Sequence, residues 1–320
     1  MRMIRFTIDR YDGSKSYQQD YDLGYIPGMT VLAALIRIRE ELDPTLNFTA
    51  ACRSAICGAC AVRVNGAPFL ACDTKLDDVL ECFGAESLSI GPIGNYPVIS
   101  DLVVDWDAKM DRLASVKPGL IPVAQFSAEE GCRQKPEDFQ KLRKMWDCIL
   151  CGCCASECSM LALNPKDFKE PYVYTHSHRY AEDSRDNAPM AHAEPTLEND
   201  GLWKCVHCLQ CVTHCPKNIE PAEDISRLRD MTVKAGYDQG VGPLHAKAFL
   251  TDIEESGRLN EPKMALRTEG VLKTMARFPF ALRMLSHGKL DPLAVFQSKT
   301  IEGHQGLCKA LDAARRAEKK

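Results

Sequence analysis

Eight of the sixteen cysteines fall in two runs of identical spacing: Cys148, Cys151, Cys154 and Cys158, then Cys205, Cys208, Cys211 and Cys215, with Pro216 directly after the second. The pattern C-x2-C-x2-C-x3-C suits iron-sulfur cubanes. Three thiolates on a tight loop wrap one face, and a fourth from farther away closes the cage. In two-run chains the fourth cysteine of each run serves the other run's cluster. The expected partition puts Cys148, Cys151, Cys154 and Cys215 on cluster A, and Cys158, Cys205, Cys208 and Cys211 on cluster B. Structural zinc and disulfides also use closely paired cysteines, but they fit two four-cysteine runs ending in Cys-Pro less well.

A third set lies upstream. Cys52, Cys57 and Cys60 form C-x4-C-x2-C, with Cys72 following, which is the plant-type spacing for a 2Fe-2S cluster. Gly58 and the small residues Ser54, Ala55 and Ala59 let backbone N–H groups approach the sulfurs and help set the potential. Cys82, Cys132, Cys153 and Cys308 remain. Cys153 lies between ligands, but the spacing favours Cys154; the other three are expected as buried thiols. His176, His178 and His192 sit in a polar stretch, Asn164 to Leu202, and are expected on the surface rather than on a metal.

The elements that must position these sulfurs are readable around them. Met3 to Arg10 alternates with period two, Asp12-Gly13-Ser14 reads as a turn, and Tyr17 to Leu23 as the returning strand. Thr30 is a good N-cap for a helix through about Leu42, ended by Pro44. Ala61 to Val64 and Pro68 to Ala71 flank Asn65-Gly66, a hairpin signal that carries Cys72 back toward the loop, and Glu86 to Ile90 would complete the sheet. Helices are expected from Pro136 to Trp146 and from Ala222 to Lys234. Others are expected over Leu244 to Ser256, Met264 to Arg277, Phe280 to Ser286 after a break at Pro279, and Leu307 to Ala317.

The fold class is therefore α+β. Residues 1–100 read as a β-grasp 2Fe-2S ferredoxin domain, 101–135 as a connection, 136–235 as a helical two-cluster domain, and 236–320 as a helical extension for partner docking. At 320 residues with 26% charged side chains and net charge −4, nothing points to nucleic acid as the main partner. Charge is uneven: residues 260–320 hold twelve Lys/Arg against six Asp/Glu, a net +6 that suits either a solvated tail or a docking surface for an acidic partner or anionic lipid. No run of eighteen apolar residues exists, and the N-terminus lacks the apolar core of a signal peptide. So many thiols without such a signal are expected to serve metal, assembled in the cytoplasm.

The combination resembles the iron-sulfur subunit of succinate dehydrogenase and fumarate reductase over roughly residues 3–235. It is carried by Cys52 to Cys60 with Cys72, Asp147-Cys148-Ile149-Leu150-Cys151-Gly152-Cys153-Cys154, Asp183-Ser184-Arg185-Asp186, and Cys211 to Cys215 with Pro216-Lys217. Two departures follow from the resemblance. Most members lack a cysteine at Cys208 and hold a 3Fe-4S centre there, whereas this chain is expected to hold two 4Fe-4S cubanes. Ser159, Leu163 and Val206 stand where those members have a Pro, a Trp and a His that line a quinone pocket. Both departures resemble the subclass whose third subunit carries cysteine-rich CCG domains like those of heterodisulfide reductase, and the extension from Gly236 is similar to the tail of that enzyme's small ferredoxin-like subunit.

No G-x-G-x-x-G follows a strand, so flavin chemistry is expected on a partner. The resemblance implies an FAD-bearing dicarboxylate subunit at one end, a CCG-domain or membrane-anchor subunit linked to quinone at the other, and this chain as the conduit, with no catalytic acid, base or nucleophile. The complex would sit peripherally on the cytoplasmic membrane, on its cytoplasmic face or outside it by co-export with a partner. Two other readings remain: the wire of a different flavoprotein, such as a glycolate or glycerol-phosphate oxidising enzyme or a thiol-linked fumarate reductase, and a free-standing carrier.

Overall fold

The computed structural model describes residues 2–124, 126–129, 131–289 and 300–318; the expected extension at 290–299 and 319–320 lies outside them. The described residues fall into two compact units, Met1–Met231 and Thr232–Lys320.

In the first unit, strand β1 (Met3–Tyr11) buries Ile4, Phe6 and Ile8 on one face, as period-two alternation requires. It pairs antiparallel with β2 (Ser16–Gly24), Met3 opposite Gly24 and Tyr11 opposite Ser16. Helix α1 (Val31–Arg37) starts where Thr30 Oγ1 accepts from the Ala33 N–H at 3.1 Å, satisfying an otherwise orphan donor. Its Val31, Leu32, Ala34 and Leu35 face the core.

The chain continues helical to Leu42, as expected, but as a π turn over Ile38–Leu42 rather than an α-helix. The wider turn keeps Ile38 buried and leaves Asp43 within 2.6 Å of Arg10.

Strands β3 (Ala61–Val64) and β4 (Ala67–Leu70) form the expected hairpin; both turn residues are left-handed, Asn65 at φ +48° and Gly66 at φ +85°, as a type I′ turn demands. Helix α2 (Leu76–Phe83) was not anticipated, although Leu76, Val79 and Leu80 carry helical spacing and Gly84 closes it in the left-handed conformation. Strand β5 (Ser87–Gly91) lies parallel to β1 and antiparallel to β3, giving the β-grasp order β2-β1-β5-β3-β4.

Beyond it, β6 (Val98–Ser100) and β7 (Val103–Val104) make a two-stranded ladder, followed by α3 (Asp107–Ser115).

A buried cation ties this layer together. Arg10 donates from Nε to Asp101 at 2.9 Å, and from Nη1 to Asp43 at 2.6 Å and to the Tyr21 hydroxyl. The Asp43 carboxyl, bonded by Thr45, Tyr21 and Arg10, is held below the usual carboxylate range.

The helical layer starts at α4 (Pro136–Trp146), matching its expected span. The short helices α5 (Cys153–Ser156) and α6 (Ser159–Leu163) follow the first cysteine run. Helix α7 (Pro171–Ala181) and α8 (Pro189–Ala193) occupy the stretch read as polar and exposed. That reading fails: α7 is buried on almost every side, and His176, His178 and His192 are all buried.

Polar partners make the burial tolerable. Thr175 donates to Asp224 at 2.6 Å and His178 Nδ1 lies 2.9 Å from the same carboxylate. His192 meets the Val116 carbonyl at 3.1 Å and Asp186 at 3.0 Å. His176 has no hydrogen-bond partner among the described residues, and burial pushes its pKa down to about 4, so it stays neutral.

The Asp183-Ser184-Arg185-Asp186 stretch turns out to be an anchor. Arg185 pairs with Asp183 at 2.6 Å, and Asp186 accepts from the Ile121 and Ala188 N–H groups. The segment 116–121 is thereby tied to the helices. Helix α9 (Gln210–Thr213) follows the second run, and α10 (Pro221–Lys234) leads out of the unit.

The second unit holds α11 (Val241–Ser256), stopped by left-handed Gly257, then α12 (Glu261–Ala276), α13 (Phe278–Ser286) and α14 (His304–Glu318). Pro279 sits in the first turn of α13 and starts that helix rather than breaking it, because proline's missing N–H has no partner there anyway. Buried Asp252 joins α11 to α12 by pairing with Arg267 at 2.5 Å.

Replacing Arg10 by Ala leaves two carboxylates without their cation, and should cost about 3 kcal/mol or more. Anaerobic guanidinium unfolding of the full chain checks this. The Asp43 contribution is present above the unfolded carboxylate pKa, about 3.9, and is lost as pH falls through the depressed folded value, so wild type should lose stability below about pH 4 more steeply than an Asp43→Asn variant.

Candidate metal centres

Around Cys52 the chain winds through two left-handed residues, Arg53 and Ala55, both at φ +55°. This turns successive amides inward. The Cys52 sulfur accepts from the N–H groups of Ser54 (3.4 Å), Ile56 (3.4 Å) and Cys57 (3.3 Å), and the Cys72 sulfur from Ala55 at 3.3 Å. Those donors pull the Cys52 thiol down to about 6, whereas burial pushes Cys60 up to about 12. The β3–β4 hairpin returns Cys72 to the loop, with the Ala71 N–H bonded to the Cys60 carbonyl at 3.1 Å. Ile56 and Cys57 face solvent.

The two later runs share one backbone trace. The residue before the second cysteine of each is left-handed, Leu150 at φ +54° and His207 at φ +51°, and so is the residue after it, Gly152 at +79° and Leu209 at +64°. Helices α5 and α9 then begin at equivalent places. Repetition of the cysteine spacing is thus repetition of a conformation. Gly152 is required twice over: it is left-handed, and a Cβ there would lie 2.8 Å from both the Tyr96 hydroxyl and the Trp106 ring. Leu209 adopts the same conformation at a cost of about 1 kcal/mol.

One small cavity is lined by Cys148, Cys151, Cys154 and Cys215, with Ile149, Leu150, Tyr172 and Pro216 among its walls. A second is lined by Cys158, Cys205, Cys208 and Cys211, with Met160, Phe168, Val206 and Ile225. Each therefore takes three cysteines from one run and the fourth from the other. Among the described residues no three His, Cys, Asp or Glu side chains converge as they would on a single ion; the sulfurs surround a space instead. That donor set, soft thiolates around an apolar chamber, fits iron-sulfur cages.

Burial pushes the Cys148 and Cys211 thiols up to about 12, so assembly must displace their protons. Cys153 is fully buried, and its contact with the Cys151 sulfur, followed by burial, pushes its thiol well above the ordinary range; it lies outside the cavity lining. The expectation of buried thiols for the remaining three fails: Cys82 is exposed, and Cys132 and Cys308 are half-buried.

The three sets are held against one another. A Cβ at Gly58 would lie 2.9 Å from both the Cys151 Cα and the Ile149 carbonyl oxygen, so the first loop touches the first run through bare backbone. Asn95 Nδ2 donates to the carbonyls of Ala155 (2.8 Å) and Cys158 (3.1 Å), and Gly94 N–H to Ser156 Oγ at 2.8 Å. No single-residue signal marks Asn95; its importance is tertiary.

Comparison with known proteins matches residues 1–111 to a 2Fe-2S iron-sulfur cluster binding domain and residues 144–219 to a 4Fe-4S dicluster domain. The chain is 51% identical to the 8-methylmenaquinol:fumarate reductase iron-sulfur subunit of Wolinella succinogenes, over 99% of this chain and all of that one. It is 33% identical to the succinate dehydrogenase iron-sulfur subunit of Paracoccus denitrificans, over 72% of this chain and 88% of the relative. The chain belongs to the succinate dehydrogenase/fumarate reductase iron-sulfur subunit family.

Its fold is that of the iron-sulfur subunit: a solved structure of the Mycobacterium smegmatis Sdh1 complex superposes with a TM-score of 0.66 over 74% of this chain and 98% of that one, at 22% identity. As a member of this family, the iron-sulfur subunit carries one 2Fe-2S centre and two further iron-sulfur clusters, and works within an oxidoreductase complex with a flavoprotein. Among its described residues no helix is long and apolar enough to cross a membrane.

Gly58→Ala should force the first loop off Cys151, because the neighbouring atoms are backbone and φ is +75°. The expected cost is about 2 kcal/mol, together with slower electron exchange between the 2Fe-2S centre and its neighbour. Stopped-flow reoxidation of the 2Fe-2S signal reads that exchange.

Proposed function

We propose that this iron-sulfur subunit conducts single electrons along one line of three cages, with Cys52, Cys57, Cys60 and Cys72 on the 2Fe-2S centre. Cys148, Cys151, Cys154 and Cys215 hold one 4Fe-4S cubane, and Cys158, Cys205, Cys208 and Cys211 hold another. The observation that carries the reading is the exchange of fourth cysteines between the two cavities. The clusters supply the redox chemistry; the chain's own groups space them, aim amides at sulfur and keep water away. The domains are read as a sheet layer, a connection, a helical layer and a helical extension.

The ends of the line are both accessible. Ile56, 66% exposed beside exposed Cys57, supports docking of the FAD-bearing subunit at the first loop. Cys208 is exposed, and Val206 (62%) and Leu209 (52%) flank it, which supports delivery to a further subunit there. Leu163 is open to solvent as well, so Leu163 and Val206 leave apolar surface where the family resemblance would place a Trp and a His.

The third subunit is read as a CCG-domain protein. Its landing surface includes the extension, where Val271, Leu272, Met275, Phe278 and Phe280 are all more than half exposed and Lys273, Arg277 and Arg283 interleave with them. The Wolinella relative's printed activity, 8-methylmenaquinol:fumarate reductase, supports fumarate reduction by a menaquinol-type donor. The complex is placed peripherally at the cytoplasmic membrane, reached through its partners.

Cys208 decides the composition of the second cubane. Anaerobically prepared wild type should contain about ten iron atoms per chain and show no 3Fe-4S signal when oxidised. Cys208→Ser should lose about one iron and gain that signal in EPR. Zinc in place of iron, or a 3Fe-4S signal in air-protected wild type, would overturn the assignment.

A further inference from the structure

Trp146 and Trp203 each stand two residues before the first cysteine of a run, Cys148 and Cys205. Each indole carries a guanidinium on its face: Arg179 lies 3.5 Å from the Trp146 ring centroid, and Arg229 lies 4.9 Å from that of Trp203. The arginines come from different helices, α7 and α10, yet each covers the indole that precedes its run.

Arg229 is aimed further by backbone. Its Nη2 donates to the Leu202 and Cys205 carbonyls, each at 2.9 Å, and its Nη1 to His207 Nε2 at 2.9 Å. Arg179 is 8% exposed and also meets the Tyr180 ring at 4.9 Å. Burial pushes both guanidinium pKa values below the ordinary one, while the Cys148 sulfur draws Arg179 back up and the Cys205 sulfur does the same for Arg229. Asp183 acts on Arg179 as a carboxylate, but Arg185 already pairs with it at 2.6 Å. Guanidinium remains protonated in proteins, so each run has a fixed positive charge beside its first ligand.

Stacking alone would stabilise the fold at any offset from the cysteines. An arginine on the indole two residues before the first cysteine of both runs, buried at Arg179 and half-buried at Arg229, calls for a different reason. We infer that Arg179 and Arg229 each hold one positive charge beside a cubane, and so set the potential at which the first and second runs' centres accept an electron. One-electron reduction adds a unit of negative charge and makes or breaks no bond, so a nearby cation in a poorly screened site favours the reduced form. Arginine's flat, weakly hydrated fork can lie against an indole and keep its charge there. The inference rests on the ligand reading given under Proposed function.

EPR-monitored redox titration of the full chain, prepared anaerobically, tests it. Arg179→Gln should lower the midpoint of the first cubane by about 59 mV or more, equivalent to at least a tenfold shift in its one-electron equilibrium. The 2Fe-2S and second-cubane midpoints should stay where they are. Arg229→Gln should lower only the second cubane, and Arg179→Lys, which keeps the charge, should recover most of the loss. Unchanged midpoints in Gln variants with full iron content would overturn the inference, as would a Lys variant that falls as far as Gln. If Arg179→Gln does not retain iron, Arg229→Gln read on the second cubane decides the matter, and an unchanged second-cubane midpoint there would overturn it too. A wild-type chain without cubane signals would instead strike at the ligand reading.

Discussion

Backbone-to-backbone contact at Gly58 and Cys151 is the constraint on which the rest of the first unit depends. Electrons move between protein-held centres only over short gaps, and a side chain at Gly58 would widen the gap by forcing main chain away from main chain. The sheet order, the β3–β4 hairpin and the Asn95 hydrogen bonds to the carbonyls around α5 can all be understood as serving that approach. They make two layers of different architecture behave as one body. Glycine and asparagine, chemically inert toward iron, thus matter to conduction as much as the cysteines they position.

A second theme is how the chain manages charge and thiols in an apolar interior. Thiols buried this deeply resist ionisation, as the elevated Cys148 and Cys211 values indicate, so iron must supply the electrostatic compensation that water no longer can. Amides turned inward by left-handed residues do part of that work at the first loop, and the paired left-handed positions of the two later runs repeat it. Elsewhere buried charges are paired: Arg10 with Asp43 and Asp101, Glu170 with Lys109 and Arg112, Asp252 with Arg267. The second unit departs from this economy on its apolar side, where α12 and α13 leave large side chains open to solvent.

Much of this was determined by sequence alone. Thiolate spacing is a local property: three cysteines within seven residues must share a loop, so the motif names the chemistry before any fold is known. The strands of the β-grasp layer and helix α4 were likewise legible, since alternation, Asn65-Gly66 and an N-terminal proline act over a few residues.

Only the tertiary structure decided the rest. His178 and His192 in a polar stretch look exposed until Asp224, 46 residues from His178, and Asp186 and the Val116 carbonyl, 6 and 76 residues from His192, supply partners through packing that no local pattern encodes. Which helix end brings Arg179 to Trp146, which glycine has a neighbour where its β-carbon would be, and which spare cysteines stay open to solvent are likewise matters of three-dimensional juxtaposition. A residue's type limits what it can do, but burial and partners fix what it does, and these arise only when segments remote in the chain are packed together.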